Sequence, residues 1–339
     1  MQFRKIVVGI DFSDASLAAA RWVANYLAPK AELLLVHVVS LPRPPIYLHE
    51  EIGPTIGQRS TLAPRLYAAL SAFGELLGCD RVRVGIRTGV AWSALARVAN
   101  EVEADLICVG RGDKRQGSSR FGATTPQRLL SVAGVPVLVI PQAASGKPSR
   151  VVAALSGRPG GERVLPTAER LASGWGASLE GIHVIEADVR RVLASPRSPA
   201  TPQYFASPSS DDGRRIGIDG LDEARLRELA SGWITSTLSA ASPSAAYEGD
   251  VRIGDAGQEL ITTVRDKPGP AVIVLGRVGE ALTGFPIQSQ YRCGSTTRMV
   301  LWSAPCPIVV VPLELRAESV FPAEFPTGLL DTRSPTRFM

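Results

Sequence analysis

The chain has 339 residues, about twice the usual length of one domain, and 45% apolar, 20% charged and 6% aromatic residues exclude a mainly disordered chain or a coiled coil. Its net charge of +5 is small for this length, only five of the 37 basic residues are lysine (5, 30, 114, 147 and 267), and no Lys/Arg block of five or more exists, so no nucleic-acid partner is expected. No apolar run reaches the ~18 residues a membrane span needs, so no membrane partner is expected.

The opening MQFRKIVVGID has two basic residues and an apolar run of about five, then meets Asp11 and Asp14; this is no secretory signal, and a soluble cytoplasmic protein is expected. Cysteines at 79, 108, 293 and 306 form no CxxC pair and histidines occur only at 37, 49 and 183, which argues against a structural zinc site and a disulfide framework.

In chain order the apolar runs predict strands over 5–10, 33–39, 81–88, 105–110 and 136–140, then over 150–155, 178–185, 247–253, 271–276 and 307–312. Four helices alternate with the strands of each set. The first places Leu17, Ala20, Val23, Ala24 and Leu27 on one face; its counterpart places Val164, Ala168, Leu171 and Ala172 there. Strands apolar throughout, separated by amphipathic helices, indicate a parallel sheet covered on both faces. Ligands of such sheets sit at the carboxyl ends of the strands near the switch in strand order, which points to the loops after strands 1 and 4 of each set.

The chain repeats itself. RKIVVGIDFSDAS (4–16) matches SRVVAALSGRPGG (149–161), LLLVHVV (33–39) matches SLEGIHVIE (178–186), ADLICVGRG (104–112) matches PAVIVLGRVG (270–279), and AGVPVLVIP (133–141) matches APCPIVVVP (304–312). The order is the same in both copies, so we read a duplication: a first domain over 1–141, a linker over 142–148 within QAASGKPSR, a second domain over 149–313 and a tail over 314–339. Residues 187–220 are rich in Pro, Ser and Arg with little apolar periodicity and read as a disordered, removable insertion in the second domain.

These landmarks together resemble the universal stress protein family in tandem form; VVGIDFSDAS, LLLVHVV and GSTTRMVLWSAPCPIVVVP carry the likeness most clearly. The resemblance implies an α/β fold of two tandem five-stranded parallel-sheet domains of strand order 3-2-1-4-5, Rossmann-like and akin to the adenine-nucleotide α-hydrolases. It also implies ATP or AMP as ligand, with magnesium left open, bound by an Asp after strand 1, a Val at the end of strand 2, and a G-x2-G-x9-G-[ST] loop after strand 4. Glycines there let backbone approach phosphates, and the Ser/Thr opens a helix whose free N–H groups face the anion.

Each copy departs from that pattern. The first keeps Asp11, Ser13 and Val38, but in GRGDKRQGSSRFGATTPQ, counting from Gly110, the second glycine is Asp113 and the third is Ala123, followed by Thr124. The second keeps Gly276, Gly279, Gly294 and Ser295, followed by Thr296, with 14 residues between Gly279 and Gly294; Val184 ends its second strand and Ser156 stands where the Asp would be. A carboxylate such as Asp113 repels phosphate, so the second domain is the expected nucleotide site.

Other candidates carry less. Cys293 precedes a helix start, where the dipole lowers a thiol pKa, Cys306 reads as core, and His37 and His183 read as structural. Neither a Ser-His-Asp order nor a pair of acid/base carboxylates in one loop marks an enzyme. The expected function is a non-enzymatic stress-response protein with a regulatory nucleotide. The alternatives are an interaction module with both sites degenerate and no cofactor, and an adenine-nucleotide α-hydrolase-type enzyme suggested by SGRPGG at 156–161. The resemblance implies joining through the last strand, as family dimers often do, and the exposed edge VPVLVIP would otherwise invite aggregation, so strands 136–140 and 307–312 are expected to pair in an internal pseudo-dimer, a further homodimer and protein partners being left open.

Overall fold

A computed structural model describes residues 3–27, 31–40, 59–112, 124–157, 160–186, 223–241, 247–277 and 294–313. The expected insertion 187–220 and tail 314–339 lie outside these residues. The first half runs β1 (Lys5–Ile10), α1 (Asp14–Tyr26), β2 (Glu32–Val39), α2 (Arg59–Leu76), β3 (Val82–Thr88), α3 (Ala91–Glu101), β4 (Leu106–Arg111), α4 (Thr125–Val132) and β5 (Val137–Pro141). The second runs β6 (Arg150–Leu155), a 3-10 turn (Gly161–Val164), α5 (Leu165–Trp175), β7 (Ser178–Glu186), α6 (Glu223–Ala241), β8 (Tyr247–Gly254), α7 (Ala256–Asp266), β9 (Ala271–Arg277), α8 (Ser295–Ser303) and β10 (Ile308–Pro312). Each strand read from the sequence is present, its ends agreeing to within one residue. Val164 lies in the 3-10 turn rather than in the helix, but is buried as expected, together with Ala168, Leu171 and Ala172.

The strands form one ten-stranded sheet in the order β3-β2-β1-β4-β5-β10-β9-β6-β7-β8. Every adjacent pair is parallel except β5 and β10, which run antiparallel with Val139 opposite Ile308, Leu138 opposite Val309 and Val137 opposite Val310. The expected pairing of the two last strands is therefore real, and it puts the most apolar edge of each half in the middle of the sheet. Residues 137–141 are all buried. The prolines just outside, Pro136 and Pro307, cannot donate to a ladder and bound the pairing. The outer edges fall to β3 (VRVGIRT) and β8 (YEGDVRIG), whose Arg83, Arg87, Glu248, Asp250 and Arg252 discourage further strand addition.

Helices cover both faces. One buried cluster joins α1, α2, α5 and α6 to the sheet through Val23, Leu70, Leu171 and Leu238; the other joins α3, α4, α7 and α8 through Val98, Leu129, Leu260 and Val300. This is the three-layer consequence of right-handed crossovers between parallel strands. Across the central seam each face is tied differently. On one, Trp22 of α1 meets Trp175 of α5, and Arg170 of α5 lies 4.0 Å over the Phe3 ring and 3.5 Å from Asp105. On the other, α4 and α8 are held by arginines from the opposite half.

Candidate functional site

Strand order reverses between β1 and β4 in the first half and between β6 and β9 in the second, so each half opens a crevice at the carboxyl ends of those strands. In the first, β1 ends at Ile10 and the chain turns through Phe12 at φ +62°, a left-handed conformation rare for a bulky residue. The turn seats the Phe12 ring 5.0 Å from the His37 ring, whose Nδ1 bonds Ile10 O at 2.7 Å. Ser13 caps α1: its Oγ accepts from Ser16 N at 3.2 Å and donates to Asp11 Oδ1 at 2.5 Å, while Ser13 N donates to the same oxygen at 3.0 Å. Partial burial works to raise the Asp11 pKa, but these hydrogen bonds outweigh it and hold the carboxyl below its ordinary value.

Gly110 closes the back of this crevice. A Cβ there would stand 2.3 Å from Ala15 O, so the start of α1 rests directly on the end of β4 and no larger residue fits. Val38 is half-buried against the α3/α4 core. Thr124 caps α4 without a side-chain cap bond, and its Oγ1 is buried with no hydrogen-bond partner. Pro126 occupies the first turn of α4 and removes one of the free N–H groups that a helix start offers an anion.

In the second half, Ser156 is exposed after β6 and Gly157 turns at φ +67° over His183, whose Cε1 would be 2.9 Å from a Cβ at that position. His183 Nδ1 bonds Leu155 O at 2.8 Å, as His37 bonds Ile10, so both histidines tie the end of one strand to its neighbour, the structural role expected. Val184 is half-buried. Gly276 is the counterpart of Gly110, but the space its missing side chain leaves is filled by Leu313, whose Cδ1 would be 2.5 Å from a Cβ. Arg163 of the 3-10 turn donates to Leu313 O and fixes it there. Gly294 caps α8 with φ −55° and ψ 159°, a conformation open to any residue, and among the described residues a Cβ there would meet nothing within 4 Å. Behind it Ser295 is exposed, Thr296 half-buried and Thr297 buried, and none is proline.

The structure thus brings Asp11, Ser13, Gly110 and Ser16 into one interlocked turn, and sets Gly294, Ser295 and Thr296 on the first turn of α8. Gly279, Cys293 and residues 113–123 lie outside the described residues. Cys306 is buried as expected, and burial pushes its thiol up to about 12; burial raises the Cys108 thiol as well. Among the described residues no group of three or more His, Cys, Asp or Glu could hold a metal ion, and no helix is long and apolar enough to cross a membrane. Sequence reasoning missed Phe12, Leu313 and the arginines Arg111 and Arg277; for the arginines the signal was present, since the same Gly-Arg pair closes strand 4 of both copies.

The universal stress protein family model matches residues 2–141 and again 148–312. A universal stress protein of Synechocystis is 29% identical over 142 residues, which is 42% of this chain and 87% of that protein. A universal stress protein of Archaeoglobus fulgidus of known structure aligns over 91% of this chain and 98% of its own, at 15% identity and a TM-score of 0.59, a likeness of fold. A universal stress protein solved in complex with cAMP aligns over 42% of this chain and 100% of its own, at 20% identity and a TM-score of 0.31. Two consecutive matches, together covering all ten strands of the sheet, make this chain a member of the universal stress protein family with two tandem domains.

Proposed function

We propose that this protein is a cytoplasmic, regulatory, non-catalytic member of its family that binds an adenine nucleotide, ATP or AMP, in its second domain. The observation that carries the reading is Gly294: its backbone conformation does not require a glycine, and among the described residues none would stand within 4 Å of a side chain there. The first turn of α8 then offers N–H groups of Ser295, Thr296 and Thr297 to a phosphate, where α4 in the first domain has Pro126 in its first turn. Gly276 leaves room for Leu313 rather than for a ligand, which narrows the phosphate seat to residues 294–297, with Gly279 as its expected partner and Ser156 and Val184 beside the nucleoside.

A second reading places the nucleotide in the first domain. It is favoured by the Asp11 carboxylate, which Ser13 holds in place, and by the unpartnered Thr124 Oγ1 at the start of α4. Titration calorimetry with ATP on the wild type, Gly294→Val and Asp11→Ala separates the two. We expect Gly294→Val to lose several-fold to hundred-fold in affinity, the range of up to about one lost hydrogen bond to a charged group at ~1.5–3 kcal/mol, and Asp11→Ala to bind like the wild type. The reverse pattern assigns the site to the first domain. A wild type that shows neither heat nor a shift in melting temperature makes the protein an interaction module.

A further inference from the structure

The last helix of each domain is short, nine residues in α8 and eight in α4, and both lie on the same face of the sheet beside the central seam. Helices of that length are marginal by themselves, because little propagation follows the costly first turn, and their ends are therefore coupled. Their last carbonyls have no partner within the helix. In α8 these carbonyls are met from the other domain: Arg111, the last residue of β4, donates through Nη1 to Leu301 O and through Nη2 to Ala304 O at 2.6 Å. In α4 the mirror contact is made by Arg277, the last residue of β9, whose Nη1 donates to Leu130 O at 2.8 Å. Leu130 and Leu301 hold the same place in their helices, since Ala133 N bonds Leu129 O at 2.9 Å and Ala304 N bonds Val300 O at 3.0 Å. The exchange is reciprocal about the β5–β10 seam at the equivalent carbonyls Leu301 O and Leu130 O, with Arg111 reaching Ala304 O as well.

Each guanidinium puts a positive charge where the helix dipole is negative, and charge-assisted hydrogen bonds are the stronger kind. Each arginine directly follows a glycine in sequence, Gly110 or Gly276, and its guanidinium is directed across the seam to the other domain. We propose that the two domains are coupled through this exchange, and that Arg111 of the first domain is a positioning residue for the phosphate seat of the second: by holding the C-terminal end of α8 it fixes the first turn, where Arg298 N bonds Gly294 O at 2.9 Å. Arg277 does the same for α4, whose first turn is closed by Arg128 N on Thr124 O at 3.0 Å. The consequence for nucleotide rests on the binding site proposed above; the mechanical link does not.

The test compares Arg111→Met and Arg277→Met in the full chain by two readouts. Amide hydrogen exchange without nucleotide should speed up about ten-fold at Arg298–Leu301 in Arg111→Met while Arg128–Ser131 keeps its wild-type rate, and the pattern should invert in Arg277→Met. ATP titration should then show roughly ten-fold weaker binding for Arg111→Met and less than about two-fold change for Arg277→Met, with Arg111→Lys, which keeps a cation for one carbonyl, in between. Equal exchange changes in both helices under either variant, or none, overturn the coupling and leave the arginines as seam contacts. If Arg111→Met fails to fold, the same comparison of α4 against α8 in Arg277→Met and Arg111→Lys decides it. A wild type that binds no ATP overturns the nucleotide reading, while the exchange data still rule on the arginine exchange.

Discussion

Trp22 and Trp175 meet edge to face across the seam between the domains, their ring centroids 5.9 Å apart and their planes at 82°. Both side chains are buried, and Trp175 Nε1 donates to Tyr26 O at the end of α1. Edge-to-face pairs place the positive rim of one ring against the negative face of the other, worth about 0.5–1.5 kcal/mol beyond the area they bury. Trp175→Phe keeps most of the area but loses the N–H, and should cost about 1–2 kcal/mol in urea unfolding; Trp175→Ala should cost about 3–5 kcal/mol.

The β5–β10 pairing makes a second prediction. Val309 is fully buried at the centre of the seam, opposite Leu138. Val309→Asp would bury an unpaired carboxylate and open the two most apolar edges of the molecule. We expect a chain that elutes as large, concentration-dependent aggregates in size-exclusion chromatography with light scattering, whereas Asp250→Asn on the outer edge strand β8 should elute as the wild type does.

Two glycines that hold related places in the family motif should respond differently to alanine. At Gly110 the new Cβ would stand 2.3 Å from backbone that cannot yield, so Gly110→Ala should lower stability by about 1–3 kcal/mol or more, the usual range for overpacking. At Gly294 the Cβ meets none of the described residues and φ is negative, so Gly294→Ala should leave thermal stability within about 0.5 kcal/mol of the wild type, and its effect should appear only in ligand binding.

Acid should loosen the seam through Asp105. Partial burial works to raise its pKa, but hydrogen bonds from Arg4 N and Lys5 N and the charge of Arg170 outweigh that and hold the carboxyl below its ordinary value of 3.8. A folded-state pKa below the unfolded one means that this contribution is fully present above the unfolded value and lost as pH falls through the folded one. Asp105→Asn should therefore be less stable than the wild type at pH 6–7, with the difference shrinking below about pH 4, measured as denaturant midpoints across pH.

The sequence by itself determined the strands, their alternation with helices and the duplication, and, together with the family resemblance, it indicated the pairing of the two last strands. These follow from local patterning: a run such as LICVGR or VIVLGR is apolar on both faces only when the sheet is covered on both, and an edge as apolar as VLVIP demands a partner. It also marked Asp11, Ser13 and the Gly294-Ser295 helix start as places where polar backbone and side-chain groups gather. Only the tertiary structure decided what each glycine is for: Gly110 admits the start of α1, Gly276 admits Leu313, and Gly294 admits none of the described residues. Only it could pair Arg111 with Leu301 and Ala304, or Trp22 with Trp175, because these partners lie more than 140 residues apart and meet through packing that no local period encodes. A pattern in sequence reports which face of an element is buried; which side chain comes to lie against it is set by how whole elements settle around the seam.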